Sequence, residues 1–239
     1  MLFIEGTYGG RYHPDKEEET ERFLEAVDRV VRRGGTVLIP AFANGRTQDV
    51  VMILHKHRPH LNIHVDGMGK RVAKNHLSHP SFLKDASGLE RAWRWAKKVS
   101  SKSDKKKALG ADVIVSTSGM LEGGPALWYL NRLRHDRKNA VFFTGYQAEG
   151  TGGRELLETS HLNIYRERIY VPLETEQFSF STHAGQKEIL EFAKACQAKH
   201  VIVYHADAQT ARPPLLAALQ EQGHTVHEPQ NGKSYTIHD

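Results

Sequence analysis

Two histidines stand where an α/β chain places its chemistry. His183 closes the apolar-aromatic run "FSFST" and precedes the helical pattern "GQKEILEFAKAC"; His205 directly follows "HVIVY". An imidazole titrates near neutrality, so it can act as acid, base or metal ligand. Asp207, two residues past His205, adds an oxygen donor, but a metal ordinarily wants three or more protein ligands. Glu5 ends the short apolar run "LFI" ahead of Gly6, Gly9 and Gly10. A carboxylate there can orient a histidine, although a strand-end glutamate on its own is more often an ordinary surface acid. His55, His57, His60, His76 and His79, in "HKHRPH" and "NHLSHP", lack the acidic neighbours of a hydrolase metal motif and read as surface residues.

A second kind of chemistry is anion binding. "DVIV" runs into Ser116, Thr117, Ser118 and Gly119, with a helix expected from Pro125. "AVFFTGYQAEG" runs into Gly150, Thr151, Gly152, Gly153 and Arg154 at the start of another helix. Hydroxyls and backbone N–H groups at such strand-to-helix turns suit phosphate. Arg46, in "FANGRTQDV", supplies a cation at a third strand end. Each turn is weak evidence by itself, because glycine-rich turns are common in α/β proteins.

The elements that must position these groups are legible as alternation. "TVLIPAFA", "LNIHVDG", "DVIVSTSG", "AVFFTGYQ" and "KHVIVYHA" are apolar strands; "GRTQDVVMILHKH", "PALWYLNRLRHD" and "GQKEILEFAKAC" are helices. Such alternation argues for a mainly parallel α/β sheet flanked by helices, with ligands at the carboxyl ends of the strands. A boundary is expected near Asn163 to Arg168. The end, "HTVHEPQNGKSYTIHD", reads as strand, Asn-Gly turn, strand. "KKVSSKSDKKKALG" reads as a helix end and solvated turn, since charge runs usually face water.

The bulk numbers bound the rest. The chain has 239 residues, 39% hydrophobic and 26% charged, with a net charge of +5. That balance describes a globular protein and permits a polyanionic partner without requiring one. No apolar run approaches the roughly 20 residues of a membrane span, so no membrane partner is expected. No leader pattern opens the sequence, and a single cysteine, Cys196, forbids an internal disulfide; a cytoplasmic location is expected. Cys196 reads as a small buried apolar residue.

The ordered set "IEGTYG", "IPAFANGRTQD", "VDGMGKRV", "VIVSTSGMLEGGPALWYL", "FTGYQAEGTGGREL", "FSFSTHAGQKEI" and "VIVYHAD" resembles the β-CASP ribonucleases over nearly the whole chain. Those are metallo-β-lactamase-fold enzymes with an inserted β-CASP domain; the likeness is to the short archaeal cleavage and polyadenylation specificity factor type. The resemblance implies an edge of the metallo-β-lactamase domain at 1–10, a β-CASP domain at 11–165, and a C-terminal segment of the αββα fold at 166–239. It also implies that Glu5 orients His183, that His183 protonates the leaving oxygen, and that His205 binds zinc. Two zinc ions complete the family site, RNA is the substrate, and the loops at Ser116–Gly119 and Gly150–Arg154 face the RNA backbone. The family's His-x-His-x-Asp-His run, a further histidine and a bridging aspartate precede the match to Glu5. A partner half carrying them is therefore expected, and unpaired sheet surface would favour self-association. The alternative is a non-catalytic RNA-binding or scaffolding subunit. Two positions depart from the family: Gly185 stands where it has Asp, and Ala206 where it has Gly.

Overall fold

The computed structural model describes residues 1–164 and 166–236. The chain divides into two units, Asp15–Phe180 and a smaller one built from Met1–Pro14 and the segment from Ser181 onward. β1 (Leu2–Glu5) belongs to the smaller unit. The larger unit then runs through α1 (Lys16–Arg32), β2 (Val37–Pro40), α2 (Arg46–His57), β3 (Ile63–Asp66), α3 (Gly69–Leu77), α4 (Ala86–Trp95) and β4 (Lys97–Lys98). It continues with α5 (Lys102–Lys107), β5 (Val113–Ser116), α6 (Gly124–Leu133), β6 (Ala140–Phe143), α7 (Gly152–Thr159), β7 (His161–Ile164), β8 (Glu167–Tyr170) and β9 (Glu174–Gln177). α8 (Gln186–Cys196), β10 (His200–Tyr204), α9 (Arg212–Glu221) and β11 (Thr225–His227) return to the smaller unit.

The larger unit is a six-stranded sheet in the order β4-β3-β5-β2-β6-β9, parallel throughout. β2, β3, β5 and β6 are buried at every residue, as central strands covered on both faces must be. Alternate side chains feed two cores. Val37, Ile39, Val113, Val115 and Phe142 meet α1 and α2 through Phe23, Val27 and Leu54. Leu38, Ile114, Val141 and Phe143 meet α6 and α7 through Tyr129, Leu130 and Leu156. α1 starts where the Asp15 side chain accepts from the N–H groups of Glu17 and Glu18; acids in its first turn and Arg29 and Arg32 in its last suit the helix dipole. The edge strand β9 carries Glu174 and Glu176. Arg29 binds both carboxylates, Arg22 lies 3.2 Å from Glu176, and Arg33 lies 2.5 Å from Glu174.

The smaller unit is a three-stranded parallel sheet, β1-β10-β11. Leu2, Ile4, Val201 and Val203 pack with Ile189 and Ala193 of α8 and with Leu215 and Leu219 of α9. On the opposite face Phe3 is 65% exposed and Tyr204 49% exposed.

The sequence puts its seams after residues 10 and 165; the compact units divide at 14/15 and 180/181. The reason is β9, which pairs with β6, and Phe178, which packs on Phe23 and Phe142. Cys196 ends α8 exposed rather than buried. β11 and a turn at Asn231–Gly232 are present, but residues 233–236 form no second strand; the last three residues of that expected strand, 237–239, lie outside the described residues. No helix among the described residues is long and apolar enough to cross a membrane.

Candidate active site

Parallel pairing of β1 with β10 sets Glu5 opposite Tyr204. His205 is the next residue, so the two strands deliver Glu5 and His205 to one edge of the smaller unit. His183 reaches that edge because Tyr8 bridges Gly185 and because the Gln186 side chain accepts from the Gly10 N–H at 2.5 Å.

Thr7 joins the acid to one imidazole. Its N–H and its Oγ–H both donate to Glu5 Oε2, at 2.8 and 2.5 Å. The hydroxyl has one proton; the 2.5 Å contact to a carboxylate outcompetes the 3.4 Å approach to the His205 carbonyl. Thr7 Oγ therefore accepts from His205 Nδ1–H at 2.9 Å. This selects the tautomer whose Nε2 lone pair is bare, as a metal-binding histidine requires. The other carboxylate oxygen, Glu5 Oε1, accepts from His183 Nδ1 at 3.3 Å. His13 Nε2–H donates to the His183 carbonyl at 2.9 Å, and the His183 and His205 rings stack with centroids 6.3 Å apart. Burial alone would raise Glu5, but the Thr7 hydrogen bonds and His183 outweigh it and hold the carboxyl below its ordinary value. Glu5 is thus an anion at neutral pH. His205 has φ 48°, the left-handed region, where a non-glycine residue is uncommon; Leu121, Ser160, Arg166 and Gln197 share it.

Asp207 does not extend the site. Its carboxylate accepts from the Gln209 N–H and from the Thr210 N–H and hydroxyl, and the Thr210 hydrogen bonds hold it below the usual range. Among the described residues no group of three or more His, Cys, Asp or Glu is disposed to hold a metal ion. His205 is one well-oriented ligand, and a zinc ion wants about four donors; the described residues of this chain by themselves do not fit it. At Gly185 an added Cβ would lie 3.0 Å from the His13 ring, so His13 fills space a larger residue would take. The Ala206 methyl packs against the small core beside Gly6.

The anion loops lie in the larger unit, and the structure brings them together by spending some of their donors. Gly152 N–H donates to Glu122 Oε1 at 2.6 Å, and Gly153 N–H to the Met120 carbonyl at 2.8 Å. Arg154 N–H turns to Thr151 Oγ at 3.4 Å, and Arg154 Nε to Glu158 at 2.5 Å. Thr117 Oγ accepts from the Met68 N–H and Ser118 Oγ from the Glu122 N–H. Ser116 is fully buried, with an Oγ that has no hydrogen-bond partner among the described residues. Gly119 lies against the backbone of Phe42, and Gly150 takes φ 77° in its turn. The Arg46 side chain is only 10% exposed and lies 3.5 Å from Asp49. Sequence reasoning missed Thr7, His13 and Glu122. Thr7 stands two residues past Glu5, in the turn that follows β1, where its N–H and hydroxyl can fold back onto that carboxylate. Glu122 caps a helix 30 residues away and His13 supports a residue 170 away, contacts with no local signal.

The sequence matches known proteins. Residues 47–156 match the Beta-Casp domain, and residues 168–226 match the Zn-dependent metallo-hydrolase RNA specificity domain. The chain is 36% identical to "Probable RNase MJ4" of Methanocaldococcus jannaschii, over 99% of this chain and 56% of that protein. It is 34% identical to "RNase aCSPSF2" of Saccharolobus solfataricus, over 99% of this chain and 48% of that protein. It is 31% identical to "Transcription termination factor FttA" of Methanocaldococcus jannaschii, over 86% and 37% respectively. The chain spans about half the length of the curated relatives it matches.

Proposed function

The chain belongs to the β-CASP family, and from that premise we propose that it is the C-terminal, RNA-facing part of a zinc-dependent ribonuclease. The observation that carries the reading is the linked set His183–Glu5–Thr7–His205, which orients two imidazoles through Nδ1 and leaves Nε2 of each for outside partners. In phosphodiester hydrolysis a water oxygen forms the new bond to phosphorus, giving up a proton to solvent, as the bond to the leaving oxygen breaks; solvent then returns a proton to His183. His183 donates the proton that the leaving oxygen takes up. Anionic Glu5 holds the ring in position through its Nδ1. In a completed site His205 would supply one ligand to one of two zinc ions. The remaining ligands, on this reading, come from a His-x-His-x-Asp-His half outside this sequence. RNA runs past Ser116–Gly119 and Gly150–Gly153, with Arg46 and Arg154 near its phosphates, and displaces Glu122 from the amide of Gly152.

The test is cleavage of labelled single-stranded RNA by this chain alone and by the chain supplied with such a half, fused or separate. Cleavage is expected only in the second case, with kcat lowered about 10²–10⁴-fold by His183→Ala or Glu5→Gln, the range of general acid catalysis. Metal-dependent cleavage by this chain alone, or a completed enzyme indifferent to His183→Ala, would contradict the reading.

A further inference from the structure

The two edges of the larger sheet treat charge differently. At the β9 edge, Glu174 and Glu176 are matched by Arg22 and Arg29 of α1 and by Arg33, which follows it. The β4 edge has no such match. Residues 97–107 hold six lysines against one aspartate, an excess of five, equal to the formal +5 of all 239 residues. The aspartate, Asp104, is committed to the capping box of α5 with Ser101 and to the Ser100 amide. Among the described residues, Lys97, Lys102, Lys106 and Lys107 are exposed and make no ion pair. Edge lysines deter strand addition, which accounts for Lys97 and Lys98. It does not account for Lys102, Lys106 and Lys107, which lie on a helix.

The helix is also fixed in place. Lys105 lies 4.0 Å from Asp66, the buried carboxylate at the end of β3 that also accepts from Tyr129 Oη at 3.1 Å. The Lys105 ammonium sits 4.6 Å above the Trp128 ring and the Arg132 guanidinium 3.7 Å from it. β3 pairs with β5 so that Asp66 meets Ser116, the first residue of the candidate RNA loop. Through Lys105, α5 is thus tied to the carboxyl end of β3, beside Ser116.

We propose that α5 and the adjoining Lys97 and Arg132 form a second contact surface for single-stranded RNA, taking the sugar-phosphate backbone where it leaves the strand-end loops. The proposal rests on the RNA reading above. Because Trp128 already engages two cations, it anchors their stems rather than stacking a base, and contact is tolerant of sequence.

The experiment titrates a labelled oligouridylate at several salt concentrations against three proteins: the unaltered chain, Lys102→Gln/Lys106→Gln/Lys107→Gln, and the charge-matched control Lys187→Gln/Lys194→Gln/Lys199→Gln. The first triple should bind on the order of tenfold more weakly at low salt, with a salt slope shallower by about 2, the value for three lost phosphate contacts on a single strand. The control should keep the unaltered slope. If the unaltered chain binds and both triples fall equally, or neither falls, the surface is overturned while the RNA reading stands. If the unaltered chain shows no salt-dependent binding, the RNA reading fails and the surface with it. Polyglutamate competing as well as RNA at equal charge would assign the surface to an acidic protein and overturn the proposal.

Discussion

The two units bury their sheets to different extents. In the larger one, β2, β3, β5 and β6 are sealed on both faces by helices. In the smaller one, α8 and α9 cover one face of three strands, while Phe3 and Tyr204 stand exposed on the other. Core size governs how well a unit resists opening. The difference teaches that the groups with chemical potential, Glu5, His183 and His205, sit on the weaker scaffold, and the stronger one presents loops and charge.

The largest test of this contrast is unfolding. All three tryptophans, Trp93, Trp95 and Trp128, belong to the larger unit. Far-UV circular dichroism should therefore begin to fall in urea before tryptophan fluorescence does. Phe142→Ala, at a fully buried position, should lower the fluorescence-detected transition by about 3–5 kcal/mol. Leu215→Ala should move the earlier step alone, by about 2–5 kcal/mol. Coincident transitions in every variant would erase the contrast.

Gly9→Ala probes the smaller unit at its turn. An added Cβ would lie 2.1 Å from the Ala211 carbonyl oxygen, so backbone must shift. A loss of about 1–3 kcal/mol in the early step is expected, the usual range for overpacking, with the fluorescence midpoint unmoved.

The acidic edge gives a pH test of the larger unit. Burial alone would raise Glu174, but hydrogen bonds from Arg29 and Arg33 outweigh it and hold it below its ordinary value of 4.5. A depressed carboxyl stabilises the fold above its unfolded value and loses that contribution as pH falls through the lower folded value. Fluorescence-detected stability should thus decline below pH 4.5. Glu174→Gln should flatten that decline and cost about 1 kcal/mol at neutral pH, less in high salt. An unchanged acid slope would remove Glu174 from the account.

His205→Gly has the smallest expected effect on stability. Glycine relieves the left-handed backbone but loses the Thr7 contact and adds unfolded-state freedom, so the net change should stay within about 1 kcal/mol. Calorimetry showing a much larger loss would mean that the imidazole is a packing element rather than a presented ligand.

The strands and helices around the site were legible because continuous apolar runs such as "VLIP" and "VIVS" have one physical use, the middle of a covered parallel sheet. Glu5, His183 and His205 were legible as strand-end residues. Their union through Thr7 was not, since it depends on the β1–β10 register, about 200 residues apart in sequence. The loops were legible as turns, but not the Glu122 carboxylate on the Gly152 amide. β9 was not legible in "YVPLETEQ", whose alternating Glu174 and Glu176 are matched only by arginines distant in sequence. The lysine run was visible as charge, and only the matched acids at the other edge give it a meaning.

The central claim is that Glu5 and Thr7 set both imidazoles with Nε2 outward. Nitrogen-15 NMR of the histidine side chains at alkaline pH reads the tautomers directly. The account predicts that His205 and His183 are each protonated on Nδ1, with Nε2 bare, and that Thr7→Val abolishes the preference at His205 while leaving His183 in place. His205 protonated on Nε2 in the unaltered chain would contradict it.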